Sequence, residues 1–179
     1  MSPVSRRNRR RSAFTLIELM AVLVLVGLVS ATAMLRFGGT TRRAQFEWSL
    51  ERVMATDRLL RTHSVSCGQP SRLEFEIGTG RLERVFGDKR NVSSFVKLGA
   101  QTRIVRFLAS RRHAETGKVE VPYDPYGHSE TFALEILGPG DRSAWVLFAG
   151  LSGQIRRLED RRDVERILEL IRPTRTDAG

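Results

Sequence analysis

Ala13-Phe14-Thr15-Leu16-Ile17-Glu18-Leu19-Met20 opens an apolar run that continues to Leu35. No residue from Leu19 to Leu35 carries a charge. A helix over residues 14–35 would be about 33 Å long, enough to cross a hydrocarbon core of about 30 Å. A charged side chain inside a bilayer costs on the order of 3 kcal/mol, although the first turn of a helix favours an anion. The sequence therefore predicts a transmembrane helix over residues 14–35 whose one acid, Glu18, needs a partner.

Residues 1–13 form a basic leader without any acidic residue. Its arginines are Arg6, Arg7, Arg9, Arg10 and Arg11. Basic residues next to a membrane span are retained on the cytoplasmic side. We therefore expect the leader in the cytoplasm and the rest of the chain on the opposite side of the membrane.

The segment Arg10-Arg11-Ser12-Ala13-Phe14-Thr15-Leu16-Ile17-Glu18-Leu19 resembles the cleavage and methylation segment of type IV prepilins and type II secretion pseudopilins. The resemblance implies that a prepilin peptidase cuts between Ala13 and Phe14, removes the leader and methylates the new amine of Phe14. It also implies that Glu18 forms an assembly salt bridge with the terminal ammonium of a neighbouring subunit, which sets the stagger between subunits. The family prefers Gly before the cut, where this chain has Ala13.

An export signal would explain some of the same features. Arg6-Arg7 or Arg10-Arg11 ahead of an apolar run suits a twin-arginine signal, and Ala31-Thr32-Ala33 offers a signal peptidase site. The mature chain would then start at Met34 and would be a soluble exported binding protein. Glu18 argues against this alternative, because it weakens the apolar part of a signal without any benefit to export.

A second helical pattern covers residues 36–66, where apolar residues recur at spacings of three and four with charged residues between them. The apolar positions are Phe46, Leu50, Val53, Met54 and Leu60. We expect an amphipathic continuation of the first helix, packed on a globular domain. Gly38-Gly39 lies at the junction and costs roughly 1 kcal/mol per Gly relative to Ala, so the sequence predicts a kink or a melted turn there.

Residues 67–158 favour strands and turns. Residues 72–77 and 81–86 alternate in polarity around Gly78-Thr79-Gly80, which predicts a β-hairpin. Further predicted strands cover residues 92–98, 103–109, 118–121, 131–137 and 144–149. The predicted fold class is therefore α+β, with the long helix packed on an antiparallel β-sheet or β-sandwich, as in pilins.

This β-rich region has a resemblance of its own. Residues 68–75, 123–127 and 150–156 are similar to segments that form hairpin turns in minor pseudopilin H of the type II secretion system. The resemblance implies a structural subunit of the periplasmic pseudopilus, close to the fibre tip and anchored by a single pass in the bacterial inner membrane. The implied partners are the prepilin peptidase, other pseudopilins, the inner-membrane secretion platform and the lipid bilayer. A type IV or competence minor pilin stays open as an alternative.

Residues 159–179 predict a short amphipathic helix. Asp160 and Asp163 favour its start, and Pro173 stops it. Its apolar face is formed by Val164, Ile167, Leu168 and Ile171. We expect this face to pack on the chain's own domain, with a neighbouring subunit as the alternative.

No pattern predicts an enzyme, a cofactor or a metal site. The histidines lie in separate segments, and the single Cys67 excludes an intramolecular disulfide. A nucleophile pair of Cys67 with a distant histidine stays open, although such an isolated Cys more often serves packing. The acidic residues that we considered as calcium ligands lack a dense oxygen-rich loop, so capping and turn roles are expected instead. The residues in question are His63, His113, His128, Asp57, Asp88, Asp124 and Asp141.

The net charge of +10 and the pI of about 11.1 are typical of nucleic-acid binders. The leader, however, supplies five of the 30 basic residues, and its removal leaves 25 against 20 acidic ones, a net charge of +5. No basic run is interleaved with aromatic residues. The sequence therefore predicts no nucleic-acid partner, except in the competence alternative.

Overall fold

The computed structural model describes residues 15–87 and 93–171, without the side chains of residues 32–40 and 93. The predictions for the leader, Ala13, Phe14, Asp88 and Pro173 fall outside the described residues. The chain divides into a unit that ends at Thr41 and a compact unit that begins at Arg42.

The first element is α1 (Leu16–Cys67), a helix of 52 residues. It runs without interruption through Gly38 and Gly39, so the melted turn predicted there is wrong. Helix propagation adds one hydrogen bond per residue fixed, and strong helix formers on both sides offset the cost of two glycines. The described part of the chain contains no helix that is both long and apolar enough to cross a membrane.

The described residues after α1 form two antiparallel sheets and a second helix. The first sheet has the strand order β3-β2-β1-β6, and the second has the order β5-β4-β7-β8-β9. The elements are β1 (Ser71–Glu76), β2 (Arg81–Phe86), β3 (Ser93–Lys97), β4 (Arg103–Ala109), β5 (His113–Ala114), β6 (Lys118–Tyr123), β7 (Phe132–Leu137), β8 (Ser143–Phe148), β9 (Ile155–Leu158) and α2 (Arg161–Ile171).

The predicted hairpin is confirmed as β1 and β2, and the five other predicted strands correspond to β3, β4, β6, β7 and β8. The prediction ended β6 at Val121, whereas the strand continues through Pro122 to Tyr123. A proline is tolerated there because β6 is an edge strand, so the missing N–H faces no partner strand. The short edge strands β5 and β9 were not predicted.

One apolar core joins α1 to both sheets. The predicted stripe of α1 is confirmed, since Phe46, Leu50, Val53 and Leu60 are buried and Met54 is partly buried. Phe75 of β1 and Phe107 of β4 bring the sheets together, with ring centroids 6.1 Å apart. The other buried members include Leu73, Leu82, Ile104, Val121, Phe132, Leu134, Ile136, Val146 and Phe148. The α+β class predicted from the sequence is therefore confirmed.

The outer face of the second sheet is covered by α2. Val164 and Leu168 are buried there against Trp145 and Leu147 of β8. Because β8 is covered on both faces, five of its six residues are buried and its sequence lacks the usual alternation. Packing of α2 on its own domain is confirmed, but Ile171 is 48% exposed and does not join the apolar face as predicted.

Candidate functional site

The amino-terminal end of α1 carries the one predicted site residue that the structure describes, Glu18. Thr15 directly precedes α1, and its carbonyl accepts hydrogen bonds from the backbone N–H groups of Glu18 and Leu19 at 3.1 and 3.2 Å. The Glu18 side chain is exposed and forms no ion pair with any described residue. Glu18 is therefore open to a partner from another molecule.

The helix around Glu18 exposes apolar side chains on all sides. Large apolar residues between positions 16 and 29 are 47% to 78% exposed. A helix that is apolar all round is normally buried, either in a protein core or in lipid. The described residues leave this segment without an apolar environment. Its exposed members are Leu16, Ile17, Leu19, Met20, Val22, Leu23, Val24, Leu25, Val26, Leu28 and Val29.

A buried polar cluster lies at the other end of α1 and fixes the helix to the sheets. The Asp57 carboxylate accepts a hydrogen bond from Arg61 Nε at 2.8 Å and one from the Tyr123 hydroxyl at 2.7 Å. The side chain of Asp57 is 1% exposed and that of Arg61 is 11% exposed. Since a buried charge is tolerated only when it is paired and hydrogen-bonded, each member of this cluster depends on the others.

Arg61 also holds two turns of the sheet domain. One of its terminal nitrogens donates to the carbonyl oxygens of Gly127 and Gly150 at 2.9 and 2.7 Å, and the other donates to the Ser129 hydroxyl at 2.9 Å. Gly150 cannot carry a side chain, because a Cβ atom would overlap the carbonyl oxygen of Ser129. A single guanidinium therefore ties together α1 and the turns at residues 124–128 and 149–153.

The electrostatics of this cluster suit a structural role. Burial, and then the neighbouring Asp57 carboxylate, hold the pKa of the Tyr123 phenol well above its ordinary value of 10.0. Tyr123 is therefore a permanent hydrogen-bond donor and cannot act as a base at neutral pH.

The cluster joins residues 66 positions apart, which no local pattern predicts. One signal was available: Asp57 stands in the buried stripe between Val53 and Leu60, where a charge needs a partner.

Among the described residues, the other polar side chains considered from the sequence meet only as two separate pairs, Cys67 with His63 and Asp124 with His128. Cys67 is exposed and lies one turn after His63, with Sγ and Nε2 3.6 Å apart, so the nearest histidine is close in sequence and not distant. The Nδ1 atom of His63 is buried without a hydrogen-bond partner among the described residues, so nothing described there orients this ring as a general base. His113 lies in β5.

Asp124 has the turn role expected for it. Its Oδ1 atom accepts the backbone N–H groups of Tyr126 and His128 at 2.9 and 2.8 Å. The hydrogen bond from His128 N–H contributes most to holding the pKa of the Asp124 carboxyl below its ordinary value. Within residues 15–87 and 93–171, no cluster of three His, Cys, Asp or Glu side chains could hold a metal ion.

The outer face of the first sheet carries a second ionic cluster. Glu74 of β1 accepts hydrogen bonds from Arg72 Nε at 2.7 Å and from Lys118 Nζ at 2.5 Å. Burial alone would raise the pKa of Glu74, but these two hydrogen bonds and their charges outweigh it and hold the pKa below 4.5. This cluster joins β1 to β6.

Comparison with known families identifies the amino-terminal segment. Residues 8–34 match the family model of the prokaryotic N-terminal methylation motif. The amino-terminal segment thus carries the methylation motif that its resemblance implied, and the helix packed on antiparallel sheets agrees with the predicted α+β fold. The motif indicates processing by a prepilin peptidase, an amino terminus anchored in a membrane and an exported domain.

Solved structures that are similar to the chain include two of the minor pseudopilin EpsH from the Type 2 Secretion System of Vibrio cholerae. One is 16% identical, with a TM-score of 0.47 and coverage of 64% of this chain and 97% of EpsH. The other is 13% identical, with a TM-score of 0.47 and coverage of 64% and 96%. No curated protein matches the chain.

Proposed function

We propose that the chain is a minor pseudopilin, a structural subunit of the type II secretion pseudopilus. The exposed apolar segment of α1, directly within the methylation motif, is the observation that carries the proposal. A segment that is apolar on every side must be covered first by lipid and then, in a fibre, by the same segment of other subunits. The subunit is accordingly stored in the bacterial inner membrane by a single pass over residues 14–35, with its carboxyl-terminal domain in the periplasm.

Processing creates the assembly contact. The prepilin peptidase cuts between Ala13 and Phe14 and methylates the Phe14 amine, which leaves a cation at the head of the helix. Glu18 then becomes the fifth residue of the mature chain. A carboxylate inside an apolar bundle is stable only when it is paired, so Glu18 binds the terminal ammonium of the adjacent subunit and fixes the axial offset between the two helices.

The sheet domain forms the outside of the fibre and has no catalytic role in this proposal. Its polar clusters around Arg61 and Glu74 hold elements of the fold together. Energy for extraction from the membrane comes from the secretion machinery, through the inner-membrane platform. The partners are therefore the prepilin peptidase, other pseudopilins, the platform and the bilayer.

Sequencing the amino terminus of the native protein tests the proposal. Membranes from cells with and without an active prepilin peptidase are compared, and the purified chain is analysed by mass spectrometry. We expect N-methyl-Phe14 in the first case and the intact arginine leader in the second. A mature chain that starts at Met34, or a leader retained in both strains, would refute the proposal.

A matched variant addresses the residue before the cut. Ala13→Gly restores the residue that the family prefers, so we expect processing at least as complete as in the natural chain.

Co-purification with other pseudopilins and platform proteins distinguishes a subunit of the secretion system from a subunit of a surface pilus.

A further inference from the structure

We infer that a basic cleft at the start of the sheet unit binds anionic phospholipid headgroups while the subunit is stored in the membrane, an inference that rests on the proposed membrane anchoring. The cleft has a volume of about 350 Å³. It is lined by Arg43, Phe46, Glu47, Arg142, Ser143 and Arg157.

The cleft carries an excess of positive charge. Only Arg157 is paired with an acid that lines the cleft, through a contact of 2.5 Å between its Nη1 and Glu47 Oε2. Within the described part of the chain, Arg43 and Arg142 form no ion pair, and neither does the adjacent, exposed Arg42. The guanidinium groups of Arg43 and Arg142 are therefore open to an anion, and phosphate is the anion that such planar groups bind best.

The walls of the cleft are fixed relative to each other. The ring of buried Phe46 occupies the space that a Cβ atom at position 138 would need, so Gly138 lets the turn between β7 and β8 pack directly on α1. The Gly138 N–H donates to the Arg142 carbonyl at 2.7 Å, which closes that turn. The turn thereby presents Arg142 to the same cleft that Arg43 lines.

Chain length limits how far the cleft can lie from the end of the apolar run. Arg42 follows Leu35, the end of the apolar run, by seven residues, and seven residues span at most about 25 Å. Arg36, Arg42 and Arg43 all occur within eight residues of Leu35 on the exported side, where the positive-inside bias disfavours basic residues. Attraction to an anionic membrane surface gives these charges a role, since basic residues near the end of a membrane helix bind anionic lipids.

The test uses the full processed chain in a nonionic detergent with equal amounts of phosphatidylglycerol and phosphatidylcholine. Native mass spectrometry counts the lipids of each kind that the protein retains. We expect phosphatidylglycerol to be retained several-fold more than phosphatidylcholine, and we expect the ratio to fall at high salt. Arg43→Gln/Arg142→Gln should lower the ratio at least threefold.

The matched control is Arg58→Gln/Arg162→Gln, which removes the same charge from exposed arginines outside the cleft. This control should keep the natural ratio. A natural chain without lipid preference, an unchanged ratio in the cleft variant or an equal fall in the control would each overturn the inference. Impaired fibre assembly in the cleft variant without any lipid preference in the natural chain would instead show that the cleft binds another subunit.

The lipid result is separable from the proposed function. A chain that retains phosphatidylglycerol through the cleft but is never cut before Phe14 would keep the lipid site and refute the pseudopilin. A chain that carries N-methyl-Phe14 but shows no lipid preference would keep the pseudopilin and refute the lipid site.

Discussion

The two units of the chain treat apolar side chains in opposite ways. From position 16 to 29, the large apolar residues of α1 stay about half exposed or more. From Phe46 onward, most apolar residues of α1 and of both sheets are buried in a shared core. Burial of apolar surface stabilises by about 25 cal/mol per Å², so the second unit supports its own fold, whereas the described part of the first gains little of this stabilisation; in the proposed function, lipid and other subunits supply it. This difference in burial leaves residues 16–29 as the apolar surface that is available for contacts with other molecules.

The largest expected effect comes from Glu18→Ala. Because the proposed partner of Glu18 is the amine of another subunit, this change should leave peptidase cleavage and membrane insertion intact and abolish fibre formation. Cleavage is measured by mass spectrometry, and fibres by shearing and electron microscopy under overexpression. Glu51→Ala, which removes an exposed acid from the same helix within the second unit, should assemble normally. Normal fibres from Glu18→Ala would contradict the pairing role.

Within the second unit, Arg61→Ala should have the largest effect on stability. It leaves the buried Asp57 carboxylate without its cation and frees the carbonyl oxygens of Gly127 and Gly150. Removing one partner of a buried ion pair typically costs 3–5 kcal/mol, so we expect a loss of about that size. Urea unfolding of the full chain in detergent, followed by the fluorescence of buried Trp145, measures it.

Arg58→Ala is the matched control for this measurement. Arg58 lies one turn before Arg61 on an exposed side of α1 and forms no ion pair in the described ranges, so its loss should change stability by less than about 0.5 kcal/mol. Equal effects of the two variants would mean that the cluster around Arg61 does not anchor the helix.

Local patterns predicted the elements with strong periodicity and missed those without it. The stripe of α1, the β1–β2 hairpin and α2 all follow from spacing alone. By contrast, β9 is a four-residue edge strand with two exposed arginines, Arg156 and Arg157, so its sequence shows no apolar alternation. Charged edge strands of this kind discourage pairing with other chains, and the same charges conceal the strand from pattern analysis.

The candidate site residues also differ in how far the sequence alone reveals them. Glu18 stands out from the sequence because a lone acid in an apolar run is costly. Tyr123 does not stand out, because its partner Asp57 lies 66 residues earlier and the two meet only after the sheets fold onto α1. Long-range polar pairs depend on tertiary packing, so a single sequence indicates at most that Asp57 needs a partner.

The contact between α2 and the second sheet gives a smaller effect. Leu168 is 6% exposed, so Leu168→Ala should destabilise the chain by about 2–3 kcal/mol through a lost apolar contact and a residual cavity. Leu170, on the same helix, is 79% exposed, and Leu170→Ala should have little effect on thermal unfolding. If Leu170→Ala instead impairs fibre assembly, that exposed side chain contacts a neighbouring subunit.

The smallest effect concerns pH and the cluster around Glu74. Its pKa in the folded chain lies below the ordinary value of 4.5, so its ion pairs stabilise the fold fully above that value. The stabilisation is lost as the pH falls through the lower pKa of the folded state. Glu74→Gln should therefore cost about 1 kcal/mol at pH 7, because Lys118 and Arg72 are partly exposed and solvent screens them.

This cost of Glu74→Gln should shrink as the pH falls from 4.5 through the lower pKa of the folded chain, where Glu74 loses its charge in the natural chain as well. Glu76→Gln, an exposed position on the same strand, should show a much smaller cost at any pH, since Glu76 forms no ion pair in the described residues. A cost of Glu74→Gln that does not change between pH 7 and pH 3 would mean that Glu74 stabilises the sheet by packing and hydrogen bonding, and not through its charge. The charge of Glu74 would then add nothing to the self-supporting unit, and its contrast with the apolar end of α1 would rest on burial and on the cluster around Arg61.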